Sequence, residues 1–495
     1  MDKKNIIKQI GYTYILVLIG LVITPFLPIL LTRTISLQEY GVYSLFSALI
    51  QLAVVILELS LTQYLLTHIP DKKPEERHTI FISTLMITLI ACVISFFIFL
   101  AIKNPFLSIN KLTPYENIYW IAIGISFFSV IVRLFYAYNF SKKAIIFAST
   151  LDFLKNNLWI IFLGITFLII RSLTVSSTFI IWLIAVGITA TIAVIPFLKD
   201  LKKASHKKTR LIEMRKALAF SIPLIPAIIA SWVVNVINRY IINHYQSTEH
   251  VALYSLPYSI LGVVTTIGVL ITTILYPYFI AEKKDKKNEE IIRNISLKYG
   301  LIIILPAITG FLVLRREIIT LVSGPNYLPS IAIIPFLFLY PLFAFLAFFV
   351  YQTFLSQHKT RALGILYSIG AVVNIILTLF LVPRYSIIGA AIATTISYLF
   401  IWLIPLAIPH RKTRLDHHFL KLSKIVLSTI FMGVLLFIIA HIISLNTYQL
   451  KIIAIIIGAV VYIVSLFLTR VFNDKEWTII KTVLFKNKII TIFKK

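Results

Sequence analysis

The sequence predicts an all-α polytopic membrane protein with 14 transmembrane helices: two six-helix bundles, followed by helices 13 and 14. Three observations support this prediction: the composition, the long apolar runs, and the uneven distribution of Lys and Arg among the loops. Of the 495 residues, 59% are hydrophobic and only 13% are charged, and the mean hydropathy is +0.93. A soluble domain of this size needs more polar surface, so the composition excludes that class.

Apolar runs of about 20 residues, long enough to cross a bilayer, recur along the whole chain. Their approximate bounds are 12–32, 41–66, 79–102, 117–139, 145–170, 175–198, 217–243, 251–280, 296–314, 329–355, 362–382, 387–409, 420–443 and 450–472.

The distribution of basic residues tests this topology. If the N-terminus is cytoplasmic and the spans alternate, the inside segments hold 36 Lys and Arg and the outside segments hold 8. Positive residues accumulate in cytoplasmic loops, so we expect both termini to be cytoplasmic. The net charge of +28 is then explained by topology, and no nucleic-acid partner is expected.

The longest inside loop, 199–216, divides the chain after six helices. We therefore predict an N-terminal bundle at 1–216, a C-terminal bundle at 217–415, added helices at 416–472 and a cytoplasmic tail at 473–495. The tail alternates apolar and basic residues, which favours a helix lying on an anionic membrane surface.

The two bundles share a weak internal repeat. A Pro-x-x-Pro at 25–28 precedes YGVYSLFSALI at 40–50, and a Pro-x-x-Pro at 223–226 precedes VALYSLPYSIL at 251–261. Both copies begin on the cytoplasmic side. Parallel repeats of this kind are typical of transporters that carry their substrate between two bundles.

No enzyme signature is found, since nucleotide-binding loops and metalloprotease or serine-hydrolase motifs are missing from the sequence. We predict no catalytic residues, no metal site and no cofactor. Cys92 is the single cysteine, so an intrachain disulfide is excluded.

Ionisable residues inside spans are the best candidates for a functional site, because each costs roughly 2.5–3.5 kcal/mol to insert. They are Glu58, Arg133, Asp152, Lys155 and Arg239, with Arg33 at the outer end of helix 1. Counting places Glu58 and Arg133 in the inner half of the membrane and Arg239 in the outer half.

Alternative explanations of these charges stay open. Asp152 and Lys155 could neutralise each other at i, i+3, Arg133 could pair with Asp152, and Arg239 could extend to the outer headgroups. Ser231, Asn235, Asn238 and Arg239 form a polar stripe on helix 7.

Four segments resemble a known family: LLTRTISLQEYGVYSLFSAL (30–49), the stretch 221–259, SGPNYLPSIAIIPFL (323–337) and VVNIILTLFLVPRYSIIGAAIATTISY (372–398). They are similar to the polysaccharide biosynthesis, or oligosaccharide flippase, family of the multidrug/oligosaccharidyl-lipid/polysaccharide exporter superfamily. Two departures bear on local backbone structure: Thr378 stands where Asn is usual and Ser386 where Gly is usual.

The resemblance implies a flippase of the bacterial cytoplasmic (inner) membrane that moves a polyprenyl-pyrophosphate-linked oligosaccharide to the outer leaflet for O-antigen or capsule. Its partners would be this lipid-linked glycan, membrane lipids, and a polysaccharide polymerase and glycosyltransferases. Arg133 and Arg239 would hold the pyrophosphate in a cationic cavity, and Arg33 would guide it near the exit. Asn235, Asn238 and Lys155 would line the cavity, while Glu58 and Asp152 would be candidates for a coupling-ion site.

Four other functions remain open from the sequence. A multidrug exporter would prefer acidic cavity groups, whereas here three intramembrane cations outnumber two acids. A flippase for a lipid-linked peptidoglycan precursor is harder to exclude. A membrane glycosyltransferase would need a sizeable outer loop, and a scaffold for glycan enzymes would not explain the buried charges.

Overall fold

A computed structural model describes residues 3–70, 72–198, 207–281, 286–356, 360–407, 419–443 and 447–472. These residues form α-helices joined by short turns. The helices are α1 (Lys3–Ile23), α2 (Phe26–Thr34), α3 (Leu37–Glu58), α4 (Leu61–His68), α5 (Pro74–Ile109), α6 (Glu116–Ser141), α7 (Ile145–Ile170), α8 (Val175–Leu198), α9 (Lys207–Ser221), α10 (Ile225–Tyr245), α11 (Thr248–Ala281), α12 (Lys286–Val313), α13 (Arg315–Val322), α14 (Ile334–Leu337), α15 (Tyr340–Ser356), α16 (Thr360–Leu403), α17 (Phe419–Ile442) and α18 (Tyr448–Leu468). The predicted all-α membrane fold is confirmed. The tail at 473–495 lies outside the described residues.

The chain forms two compact units. Unit 1 comprises Met1–Val263, Val322–Leu337 and Thr353–Ile401, and unit 2 comprises Val264–Leu321, Phe338–Gln352 and Trp402–Lys495. In unit 1, α6 packs against α3, α4, α7 and α8, and α10 packs against α3. Within unit 1, helix α10 of the predicted second bundle therefore packs against a helix of the predicted first bundle.

Helix α3 packs against α5, α6, α8 and α10 of unit 1, and most of its side chains are buried. Its start is fixed by a capping box: the Ser36 side chain accepts from the Glu39 backbone N–H, and Glu39 Oε2 accepts from the Ser36 backbone N–H at 3.0 Å. Such reciprocal bonds satisfy donors that a helix start leaves free.

Helix α11 begins with a related arrangement. The Ser247 hydroxyl accepts from the His250 backbone N–H at 3.4 Å and lies 2.9 Å from His250 Nδ1. These residues are displaced from Ser36 and Glu39 by the same number of positions that separates Tyr43 from Tyr254 in the sequence repeat. The two copies of the predicted repeat therefore have matching helix starts as well as similar sequences.

Helix α16 is a hairpin of two arms. Ser386, at φ 51° and ψ −136°, breaks its helical geometry. A Cβ on Gly370 in the first arm would meet Ile401 in the second, and one on Gly389 would meet the Leu381 backbone carbonyl. The arms therefore fold back on each other at Ser386, as the separate predicted spans 362–382 and 387–409 require.

Twelve helices within the described residues are long and apolar enough to cross a membrane. A pair bent by 48°, Pro325–Leu337 with Tyr340–Gln352, raises this number to 13 if it is one span. The α16 hairpin is one helix in both counts. The predicted total of 14 spans stays a prediction.

Unit 2 has its own apolar core. Helix α17 packs against α12 and α18, and α12 also contacts α18. The Tyr462 hydroxyl of α18 donates to the Ile302 carbonyl of α12 at 2.9 Å, and Met432 and Leu436 of α17 are buried in the same cluster. The two helices after the predicted second bundle are thus packed against a helix of that bundle.

Candidate functional site

Arg133 of α6 is paired with Glu58, the last residue of α3. The distance from Arg133 Nε to Glu58 Oε2 is 3.0 Å. Glu58 is 7% exposed, whereas the Arg133 side chain is 42% exposed. The carboxylate is therefore held inside the unit, and the guanidinium keeps an open side. The pairing of Arg133 with Asp152, which the sequence left open, is not the one formed.

Asp152 and Lys155 of α7 form the other ion pair expected from their spacing. Lys155 Nζ lies 3.4 Å from Asp152 Oδ1, and Asn156 Nδ2 donates to the same oxygen at 3.2 Å. Lys155 is close enough to Arg133 and Glu58 to interact electrostatically with both. These two cations and two anions form one cluster without net charge.

The path of the chain after Glu58 is unusual. Leu59 and Ser60 both have left-handed backbone conformations, with φ of 47° and 60°. This geometry costs a non-glycine residue about 1–2 kcal/mol, and such strain is concentrated at functional sites. The Ser60 hydroxyl is buried, with no hydrogen-bond partner among the described residues. The break ends α3 at its buried carboxylate, and α4 begins at Leu61.

Arg239 of α10 is the second charged centre. Its guanidinium carbon lies 5.5 Å from the centroid of the Tyr258 ring, a cation–π distance. Its charge also acts on the hydroxyls of Tyr40, Tyr43 and Tyr240. Arg239 Nε is buried and has no hydrogen-bond partner in the part of the chain that the structure describes. No ion pair among those residues includes Arg239.

Asn235 orients the aromatic ring that faces Arg239. Its Oδ1 accepts from the hydroxyls of Tyr258 at 2.9 Å and Tyr398 at 2.7 Å, and its Nδ2 donates to the Ser231 carbonyl at 2.7 Å. Three helices, α10, α11 and α16, therefore meet at this amide. The bonds hold Tyr258 in the place where its ring contacts the guanidinium.

Asn238 is 1% exposed and lies in a closed hydrogen-bond network. Its Nδ2 donates to Thr394 Oγ1 at 2.7 Å and lies 3.4 Å from the Tyr254 hydroxyl and 3.5 Å from the Ala390 carbonyl. Its Oδ1 accepts from Thr378 Oγ1 at 2.8 Å. The amide is occupied by protein partners, so this geometry favours joining helices over contacting a substrate.

Arg33 lies at the end of α2 and is exposed. Its Nε donates to the Val322 carbonyl at 3.2 Å, and Val322 is the last residue of α13. A cation at a helix C-terminus is favourable because the free carbonyls there carry partial negative charge.

The structure thus brings the predicted site residues together in groups. Glu58, Arg133, Asp152 and Lys155 form one cluster, and Asn235 and Arg239 share Tyr258. Sequence reasoning missed the tyrosines around Arg239. Most of these tyrosines stand in the repeated segments YGVYS and YSLPYS. Tyrosine is also common at membrane interfaces, so the sequence alone does not show which tyrosines face a buried cation.

Two solved structures share this fold. The lipid II flippase MurJ in its inward closed conformation superposes with a TM-score of 0.70 at 17% identity, over 92% of this chain and 97% of that one. An inward-facing multidrug resistance transporter of the MATE family, from the MOP superfamily, gives 0.58 at 16% identity, over 78% and 91%. This chain therefore shares the fold of these two proteins.

The sequence also matches a family profile, described as polysaccharide biosynthesis protein, over residues 30–332. This match covers more than half of the chain, so the chain belongs to the polysaccharide biosynthesis protein family. The family resemblance predicted from four segments is confirmed, as is a multi-pass membrane protein. A search of curated proteins finds no match to the sequence.

Proposed function

We propose that this protein is a flippase that moves a polyprenyl-pyrophosphate-linked oligosaccharide from the cytoplasmic to the outer leaflet, for a surface polysaccharide such as O-antigen or capsule. The support is its family, whose members act in polysaccharide biosynthesis, together with a transporter fold. In this proposal the protein lies in the bacterial cytoplasmic membrane with both termini inside, and it is not an enzyme.

The observation that carries the proposal is the charge of Arg239. A cation inside a span costs roughly 2.5–3.5 kcal/mol, yet here only aromatic rings compensate it within the described residues. Guanidinium groups bind phosphate through paired, charge-assisted hydrogen bonds. A pyrophosphate would supply both the missing countercharge and an acceptor for the free Nε.

The other predicted residues take secondary roles in this mechanism. The exposed side of Arg133 would meet the pyrophosphate on entry, with Lys155 beside it, and Arg33 would act near the outer exit. Asn235 positions Tyr258, and Asn238 joins the helices. Glu58 and Asp152 are the carboxylates that could hold a coupling ion when an anion draws Arg133 or Lys155 away from them.

Transport would proceed by rocking of the bundle at 1–216 against the bundle at 217–415, with helices 13 and 14 carried along. The partners would be the lipid-linked glycan, membrane lipids, and the polymerase and glycosyltransferases that consume and make the substrate. Helix α10, which carries Arg239, packs against α3, which carries Glu58. A shift of α10 when Arg239 binds the pyrophosphate would therefore act on the helix that carries Glu58.

The test depletes the protein in its host and then exposes the membranes to an impermeant reagent that modifies only the glycans of the outer leaflet. The undecaprenyl-linked lipids are then extracted, and the unmodified fraction measures the inner-leaflet pool. We expect oligosaccharide-linked lipid to accumulate inside and surface glycan to fall. Accumulation of lipid-linked peptidoglycan precursor would show the alternative flippase function. Changed efflux of cationic drugs with normal lipid pools would show an exporter and would contradict the proposal.

A further inference from the structure

A groove of about 600 Å³ lies on unit 1, and its lining includes none of the residues of the charged clusters. One wall is formed by Pro223, in the 3₁₀ turn that precedes α10, and by Pro226, in the first turn of α10. The other wall is a stripe on the first arm of α16. Arg361 stands at one end of this stripe, and Val372 and Val373 stand at the other.

The groove is about as long as one leaflet of the membrane is thick. The stretch of α16 that is long and apolar enough to cross a membrane begins at Arg361, so we assign this end of the groove to the membrane boundary. From Arg361 to Val372 the helix rises about 17 Å at 1.5 Å per residue. Half of the roughly 30 Å hydrocarbon core of a bilayer is about 15 Å. A single hydrocarbon chain running from the surface towards the midplane would fit along it.

The sequence explains why the groove is open. Pro223 and Pro226 replace a regular turn with a short 3₁₀ turn at Ile222–Leu224, because proline lacks the N–H that would continue the helix. On the facing helix the groove is lined by the small residues Gly364 and Ser368. Their short side chains leave open a space beside the proline turn that larger side chains would fill.

The lining is apolar except at its entrance. Ile365 is 63% exposed, and Val372 is 54% exposed, which suits contact with hydrocarbon. Arg361 is exposed, and no ion pair within the described parts of the chain includes it. A cation at the mouth of an apolar groove is complementary to a lipid that carries a phosphate above a hydrocarbon chain.

We infer that this groove binds one anionic phospholipid, with its phosphate on Arg361 and one acyl chain along Ile365 and Val372. The inference is independent of the transported substrate, because Arg239 and the Glu58 cluster line no part of the groove. A phospholipid seated between α10 and α16 would fill the space beside the proline kink and stabilise the packing of the two helices.

The experiment is native mass spectrometry of the full-length protein, titrated with phosphatidylglycerol or phosphatidylcholine of the same acyl chains. We expect wild-type protein to retain one phosphatidylglycerol about tenfold more tightly than phosphatidylcholine, as one charge-assisted contact would give. Arg361→Gln should remove this preference. Gly364→Leu should remove binding of both lipids at this site, and Ser368→Leu serves the same purpose if the first variant does not fold.

Arg384→Gln is the matched control, because Arg384 is an exposed cation at the far end of the same arm. It should leave the phosphatidylglycerol preference unchanged. Equal retention by wild type and Arg361→Gln would overturn the inference. Displacement of the bound lipid by undecaprenyl phosphate, but not by phosphatidylglycerol, would assign the groove to a prenyl lipid and would also overturn it.

Discussion

Arg133 Nε of α6 lies 3.0 Å from Glu58 Oε2 at the end of α3. The two residues differ strongly in exposure, since the carboxylate is buried and the guanidinium has an open side. The pair also stands beside the left-handed backbone of Leu59 and Ser60. It therefore neutralises a buried acid and leaves one side of the guanidinium open.

The first prediction concerns the stability that this pair provides. Arg133→Gln leaves Glu58 buried without its partner, and breaking a fully buried pair costs about 3–5 kcal/mol. Because 42% of the Arg133 side chain is exposed, solvent screening lowers the expected loss to about 2 kcal/mol. The measurement is thermal or denaturant unfolding of the purified protein in detergent.

The double variant Glu58→Gln/Arg133→Gln is the control for this prediction. It removes both charges and should recover most of the lost stability, because no buried charge is left unpaired. If the double variant is as unstable as Arg133→Gln, the ion pair is not the source of the effect.

The second prediction separates transport from stability at Arg239. Its described neighbours offer π faces, with no acid paired to it, so Arg239→Gln should change the free energy of unfolding by no more than about 2 kcal/mol, the value of a desolvated cation–π contact. Transport of the lipid-linked glycan should fall by about tenfold or more if the guanidinium binds pyrophosphate. The measurement is surface glycan per unit of protein in the membrane.

Arg384→Gln controls for loss of a cation, since Arg384 is exposed and stacks on Phe380 at 4.0 Å. Normal surface glycan in the Arg239→Gln variant would show that Arg239 does not bind the substrate. A large loss of stability would show instead that the arginine holds the helices together.

The helices and the family could be predicted from the sequence because each depends on local or repeated features. Apolar length predicts the spans, and the positive charges between them predict their orientation across the membrane. The segment at 372–398 also carried information on backbone geometry: Ser386 stands where the family uses Gly, and it is the residue with positive φ in α16.

The partners of the buried charges could not be predicted in the same way. Helix α6 is apolar around most of its circumference, so its sequence does not fix which face points inward. Arg133 therefore could not be assigned to Glu58 instead of Asp152. The break at Leu59–Ser60 also lacked a signal, because left-handed residues are usually Gly or Asn and neither stands there.

The third prediction tests the contact between the starts of α3 and α11. A Cβ added to Gly41 would overlap the Thr248 backbone carbonyl, and backbone atoms cannot move aside as a flexible side chain can. Gly41→Ala should therefore cost about 1–3 kcal/mol through overpacking. Gly262→Ala is the control, because no atom lies within 4 Å of its added Cβ. Equal unfolding midpoints for the two variants would contradict this prediction.

The fourth prediction concerns the hairpin of α16. Ser386 has φ 51°, a region that costs a residue with a Cβ about 1–2 kcal/mol and costs glycine much less. The Ser386 hydroxyl has no hydrogen-bond partner among the described residues, so little is lost when it is removed. Ser386→Gly should stabilise the folded protein by about 1 kcal/mol, after allowance for the greater freedom of glycine in the unfolded chain.

The unfolding midpoint in detergent measures this gain, and Ser386→Ala separates its two causes. Alanine removes the hydroxyl but keeps the Cβ, so the free energy of unfolding of this variant should stay within about 0.5 kcal/mol of wild type. If alanine stabilises the protein as much as glycine does, the buried hydroxyl is the source of the strain and the backbone is not. Gly389→Ala should act in the opposite direction, because its Cβ would meet the Leu381 carbonyl across the turn and force the two arms of the hairpin apart.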